Sequence, residues 1–353
     1  MKLKTLYSFI QGILNKKKID SIIFFITARC NSRCKTCFFW KNLNKKKDLS
    51  LKEISSLLKK LPKIENVLIS GGEPFLREDI SEIISEMVKI NNIKAVGIPT
   101  NCLLEEKILS NTEKILQENP GLRLEINCSL DGLKKEHDFI RGVNGNFNRT
   151  ISTIKKLNVL KKKYPSLKVT VNTVITNRNY LLLSSLIEHV KSLGVDSHTF
   201  DVLRGFHQGI LSLPTLDKFK KINNLRYKTR KYYNKKKPWF LRMLYNLREK
   251  EIILTQQDVL SGKKWGFGCI AGKNHITLGS EGLVQICELN PPVGDLKKQP
   301  LQDILKNVYS KRISDQIKGH QCDCTHICYV SGSINKSLSA LTLGLIKAVF
   351  RKI

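Results

Sequence analysis

Cys30, Cys34 and Cys37 stand in a C-x3-C-x2-C run, Cys30-Asn31-Ser32-Arg33-Cys34-Lys35-Thr36-Cys37, directly after an apolar stretch. Thiolates at such spacing bind zinc or iron. A structural zinc site closes its tetrahedron with four protein ligands, whereas an iron–sulfur cube held by three leaves one iron for a ligand that is not protein. Taken alone, the triplet also admits a partial zinc site or a redox pair. A second set follows near the end of the chain, Cys269, Cys287, Cys322, Cys324 and Cys328. Five thiols exceed the needs of one four-coordinate centre, so one auxiliary 4Fe–4S cluster is expected, with zinc as the alternative. Cys269, Cys287 and Cys322 are its firmest ligands, and Cys324 and Cys328 compete for the remaining place. Cys102 and Cys128 fit no spacing and read as small buried apolar residues.

Other groups could hold a ligand beside the first cluster. In Ser70-Gly71-Gly72-Glu73-Pro74 two glycines allow a close backbone approach and Glu73 can accept from an amino group, although the motif alone is also an ordinary turn. Thr100-Asn101 and Ser129-Leu130-Asp131-Gly132 end later apolar runs, and Arg141 in Ile140-Arg141-Gly142 offers a fork suited to a carboxylate. Together they describe a site for an amino-acid-like ligand. His320 and His326 flank the late cysteines and could be ligands, but read rather as hydrogen-bonding or surface groups, and His137 as support for the loop before Arg141.

These groups need elements to position them. Six apolar runs read as strands: Ile22 to Ile26, Asn66 to Ile69, Ala95 to Pro99, Arg123 to Leu130, Lys168 to Ile175 and Asp196 to Leu203. Helical patterns separate them, the first opened by a Ser50/Glu53 capping box, and this alternation builds a parallel sheet. Six units are too few for a closed eight-unit barrel. The expected fold is therefore α/β, a partial (β/α)6 TIM-like barrel over residues 19–215 with its site at the carboxyl ends of the strands. A basic, aromatic helix-linker-helix segment occupies 216–262, and a small Cys-rich α+β module 263–335. Residues 1–18 and 336–353 read as amphipathic helices.

The chain has 353 residues, ten cysteines and a net charge of +31. Met1 to Lys18 shows no signal-peptide pattern, so a reducing, cytoplasmic compartment is expected, and no apolar run approaches the ~20 residues of a membrane span. Basic and aromatic residues in 216–251, with the terminal helices, point to a peripheral position at the inner face of an anionic membrane. RNA binding through the same stretch is an alternative of another class, and nucleic acid is not the expected partner.

Over Ser21 to Leu203 the sequence resembles the radical S-adenosylmethionine superfamily. The resemblance implies that Cys30, Cys34 and Cys37 hold a 4Fe–4S cluster whose open iron binds S-adenosylmethionine. Gly71, Gly72, Glu73 and Pro74 would receive the methionine amino group, Ser129 and Arg141 would lie near its carboxylate, and Asn172 and Leu203 near ribose and adenine. Members often carry an aromatic residue just before the third cysteine; here it is Thr36, with Phe38 and Phe39 following instead. The late cysteines resemble the SPASM and twitch auxiliary-cluster modules, the single-cluster form fitting best. The resemblance further implies a low-potential donor of flavodoxin or ferredoxin type and reductive cleavage of S-adenosylmethionine to a 5'-deoxyadenosyl radical that takes hydrogen from a substrate. A lipid-linked compound or an anionic metabolite is the expected substrate, a peptide or protein side chain the alternative. A non-catalytic iron–sulfur sensor is the further alternative.

Overall fold

The computed structural model describes residues 19–45, 47–205, 207–319, 321–322 and 324–336. The two terminal helices expected from the sequence, and His320, lie outside these residues.

Six strands are built from runs of β-branched and aromatic residues: β1 (Ser21–Thr27), β2 (Asn66–Gly71), β3 (Ala95–Thr100), β4 (Arg123–Ser129), β5 (Leu167–Ile175) and β6 (Ser197–Val202). They are mutually parallel and lie side by side in chain order, leaving the sheet open rather than closed on itself. Every expected strand is found within two residues of its expected ends. Helices α1 (Leu51–Lys59), α2 (Ile80–Asn91), α3 (Glu105–Glu118), α4 (Lys135–Arg141), α5 (Asn146–Lys163) and α6 (Leu183–Ser192) lie in the connections. Ser50 and Glu53 do form the capping box at α1, which turns Ile54, Leu57 and Leu58 into the core. Helix α1 packs on α2, α2 on α3, and α3 on α5, making an outer layer over the sheet. Covered on both sides, β1 buries all its residues except Ser21.

Beyond β6 the chain forms α7 (Leu216–Asn234) and α8 (Trp239–Leu260), with Pro238 at the N-terminus of α8. Strand β7 (His275–Leu278) then returns to pair parallel with β1, Ser21 opposite His275, and β8 (Leu283–Gln285) and β9 (Gly294–Asp295) extend the sheet antiparallel. The Cys-rich segment and the barrel thus share one nine-stranded sheet. Helices α9 (Leu301–Lys306), α10 (Val308–Lys318) and α11 (Ile327–Asn335) follow, and α11 packs on α8. Among the described residues no helix is long and apolar enough to cross a membrane.

Candidate active site

Parallel pairing in register brings the carboxyl ends of the strands to one rim. Gly71 ending β2 lies opposite Thr27 ending β1, and Ser129 ending β4 lies opposite Asn172 in β5. The first three cysteines leave this rim in the loop after β1, and polar side chains hold that loop in shape. Asp48 accepts from the Thr27 hydroxyl at 2.6 Å and the Ala28 N–H at 2.8 Å. Asn44, at a φ of 58°, reaches back to accept from the Cys30 N–H at 2.9 Å and donates to the Cys30 carbonyl at 3.1 Å. On the far side Ser32 Oγ and the Arg33 N–H both donate to the Arg141 carbonyl, at 2.8 and 3.3 Å. The Lys35 N–H donates to the Ile140 carbonyl at 2.8 Å.

The Gly-Gly-Glu-Pro turn packs onto the same loop. The Gly72 N–H donates to the Thr27 carbonyl and the Glu73 N–H to the Arg29 carbonyl, both at 2.9 Å. A Cβ on Gly71 would stand 2.1 Å from the Thr27 carbonyl oxygen, and one on Gly72 2.0 Å from that of Arg29. The two glycines are therefore required by the approach of two backbones, which sets the turn beside Cys30. Glu73 points inward. Its carboxylate accepts from the Thr100 hydroxyl at 2.9 Å, the Asn101 N–H at 2.8 Å and the Phe75 N–H at 3.3 Å. Burial raises the Glu73 carboxyl to about 7 despite these three donors.

Arg141, at the end of α4, does not stand free. Its Nε lies 2.8 Å from the fully buried Asp131 carboxylate and its Nη1 donates to Cys34 Sγ at 3.3 Å. Burial opposes the guanidinium charge, but Asp131 and Cys34 outweigh it and push the Arg141 pKa up. His137 holds this corner. The Asp131 N–H donates to its Nδ1 at 3.0 Å, so the proton sits on Nε2, which faces Asn146 Oδ1 at 2.9 Å. Asn146 in turn donates to the Asn101 carbonyl at 2.8 Å.

Burial, seconded by Arg141, lowers the His137 pKa to about 4 from a usual 6.5. The unfolded chain therefore binds a proton at His137 that the folded chain refuses, and stability falls as pH drops from 6.5 towards 4. The loss is on the order of 3 kcal/mol for this group. In denaturant unfolding of the iron-loaded protein, that part of the pH slope is expected to be missing from His137→Gln, while cluster loss, common to both proteins, cancels in the comparison.

These groups surround a cavity of about 490 Å3. Cys30, Cys34, Cys37, Gly71, Gly72, Glu73, Ser129, Arg141 and Asn172 all line it, as do Thr36, Phe38 and Phe39. Among the expected residues Pro74 and Leu203 do not. Leu203 packs instead with Ile140 and Leu211 in a small buried cluster. Asn172 is held by the Thr199 hydroxyl at 2.9 Å. The residues fit an iron–sulfur cluster by their chemistry. Burial, with a contribution from neighbouring thiols, pushes the Cys30 thiol up to about 12 and Cys37 to about 11. Thiolates at Cys30 and Cys37 call for a cationic centre beside them, which a metal cluster would supply. Among the described residues no three His, Cys, Asp or Glu side chains converge on one metal ion. A cube asks for less, since each thiolate takes a different iron.

The late cysteines divide in two. Cys269 lies in the field of Cys322, Cys287 in that of Cys324 and Cys269, and Cys324 in that of Cys269 and Cys322. Cys328, in the first turn of α11, instead faces Glu288, Arg204 and Asp201 and lines the cavity. Sequence reasoning missed this charged group. Arg204 pairs with Asp201 and, at 3.2 Å, with Glu288, and its guanidinium lies 5.1 Å over the Phe38 ring. His326 caps α11 by accepting from the Cys328 N–H at 3.3 Å and meets Glu288 with its other nitrogen, so both nitrogens are engaged. Burial alone would raise the Glu288 carboxyl, but His326 and Arg204 hold it at about 2. Cys102 and Cys128 are fully buried, as expected.

Residues 24–180 match the family model described as Radical SAM superfamily. The chain is 28% identical to the uncharacterized protein MJ0907 of Methanocaldococcus jannaschii over 211 residues, 58% of this chain and 70% of that one. It is 31% identical to a GTP 3',8-cyclase of Clostridium botulinum over 166 residues, 45% of this chain and 48% of the cyclase. The chain thus spans about half the length of the cyclase. Among solved structures, Streptococcus suis SuiB bound to S-adenosylmethionine aligns with 95% of this chain and 78% of its own, with a TM-score of 0.62 at 18% identity. At that identity the likeness is one of fold.

Proposed function

We propose that this chain, whose residues 24–180 match the Radical SAM superfamily model, is an enzyme that cleaves S-adenosylmethionine reductively and abstracts hydrogen from a substrate held in the cavity of about 490 Å3. The observation that carries this reading is that three thiols, the Gly-Gly-Glu-Pro turn and Arg141 meet in that one cavity at the strand ends. Cys30, Cys34 and Cys37 would hold a 4Fe–4S cluster there, which would supply the low-potential electron for reductive cleavage of S-adenosylmethionine.

The chain's own residues do the rest. Cys30, Cys34 and Cys37 hold the cluster, and the Gly71-Gly72 backbone forms the wall beside Cys30. Glu73, whose carboxyl titrates near 7, stays ionised beside a ligand ammonium. Arg141, held by Asp131, sets a positive charge at Cys34 and at a ligand carboxylate. Ser129 and Asn172 stand further along the same rim, in β4 and β5, and Phe38 and Phe39 line the cavity and keep water from the reacting atoms. Cys269, Cys287, Cys322 and Cys324 would hold an auxiliary cluster, which leaves Cys328 facing the substrate space. The electron comes from a low-potential donor of flavodoxin or ferredoxin type.

The cavity must hold the cofactor as well as the reacting part of the substrate, so that part is compact: a small metabolite, or one side chain or end group of something larger. Residues 216–260 do not border it. The basic aromatic helices therefore give no argument for an anionic substrate in the cavity. Replacing Cys30, Cys34 and Cys37 together by Ala is expected to remove about four irons from the reconstituted protein and leave about four, one cubane per site. Iron and sulfide assay checks this, and loss of all the iron, or of none, contradicts the two-site arrangement.

A further inference from the structure

Residues 216–247 contain eleven Lys or Arg and one acid, Asp217. The fold sorts this charge. The arginines turned inward are spent on structure: Arg226 donates to Asn223 at 3.0 Å and to Gln256, and Arg230 and Arg248 both pair with Glu249 at 2.9 Å. The outward face is different. Tyr227, Lys231 and Lys235 from α7 and its C-terminus, spaced four apart, meet Trp239, Arg242, Met243, Asn246 and Leu247 of α8 around an open cleft of about 580 Å3.

No acid lines this cleft. Among the described residues Lys235 and Arg242 have no carboxylate partner, and Lys231 lies 5.6 Å over the Tyr227 ring. Trp239 is 71% exposed and Met243 50% exposed, although both are large and apolar. Cations held beside an exposed Trp and Met suit a surface whose outer layer is phosphate and whose next layer is hydrocarbon. A single-stranded nucleic acid would ask instead for a run of aromatic platforms along the groove.

We propose that the α7–α8 hairpin docks on an anionic membrane surface, with Lys231, Lys235 and Arg242 among the lipid phosphates and Trp239 and Met243 entering the headgroup boundary. Each cation near such a surface is worth roughly fivefold in binding. The full chain, iron-loaded, is mixed with vesicles of equal parts phosphatidylcholine and phosphatidylglycerol and sedimented. It is expected to pellet with them and to stay in the supernatant with phosphatidylcholine alone. Neutralising the three cations together, Lys231→Gln, Lys235→Gln and Arg242→Gln, is expected to weaken partition on the order of 100-fold without changing iron content. Tryptophan emission is expected to shift to the blue on adding the anionic vesicles, and Trp239→Phe to abolish that shift. The proposal is overturned if the chain stays in the supernatant, if the triple variant pellets like the parent, which would move binding elsewhere on the chain, or if the variant loses affinity for single-stranded RNA but not for vesicles.

Discussion

Gly72→Ala is expected to lose the iron of the first site and to lower the chain's stability by on the order of 3 kcal/mol. The added methyl would stand 2.0 Å from the Arg29 carbonyl oxygen, 2.6 Å from its carbon and 3.2 Å from Cys30 Cβ. Two of these are backbone atoms, which no rotamer change moves aside. The turn must withdraw, breaking the bonds from Gly72 N–H to Thr27 and from Glu73 N–H to Arg29. Two hydrogen bonds at about 1 kcal/mol each, with about 1 kcal/mol or more of overpacking strain, give that magnitude. Gly121→Ala is the control, because its methyl would meet nothing within 4 Å. Urea midpoints and iron content together decide the matter; a Gly72→Ala protein with full iron and an unchanged midpoint would show that the turn does not shape the cysteine loop.

The second large effect belongs to the pair behind Cys34. Asp131 is fully buried, binds Arg141 Nε at 2.8 Å and accepts the Val174 N–H at 2.8 Å. Asp131→Ala strands a buried guanidinium and an unpaired amide at once. A loss of about 3–5 kcal/mol is expected, as for other buried pairs broken from one side. Replacing both partners, Asp131→Leu with Arg141→Met, is expected to restore most of that stability, since no charge is then left buried. The double variant nevertheless lacks the guanidinium at Cys34. If the pair serves only the fold, it will turn over S-adenosylmethionine as the parent does; if Arg141 also serves the site, stability returns and turnover does not.

Much of this was legible in the chain before its fold. The six barrel strands announce themselves as short apolar runs separated by helical patterns, and the Ser50/Glu53 box marks a helix start because its two hydrogen bonds are local. The cysteine triplet and the glycine turn are legible for the same reason: their chemistry depends on spacing within a few residues. What could not be read is what depends on distance along the chain. Asn44 and Asp48 look like ordinary loop polars until the chain curls back on Cys30 and Thr27. Arg204, Glu288 and His326 are separated by 84 and 38 positions and form one charged group only after β7 has paired with β1. That four-residue strand carries no signal of its partner, 254 positions away. Leu203, aligned by resemblance with a ligand contact, lies just past the end of β6 at Val202 and packs with Leu211 and with Ile140, which is distant in the chain.

The proposed role of the cavity at the strand ends is radical chemistry on S-adenosylmethionine. The most direct measurement is anaerobic reconstitution with iron and sulfide, then addition of dithionite and S-adenosylmethionine, with products followed by mass spectrometry. Formation of 5'-deoxyadenosine and methionine by the parent, and of neither by the Cys30, Cys34, Cys37 triple Ala variant, is the predicted result. Fully loaded protein that forms no 5'-deoxyadenosine would contradict the claim.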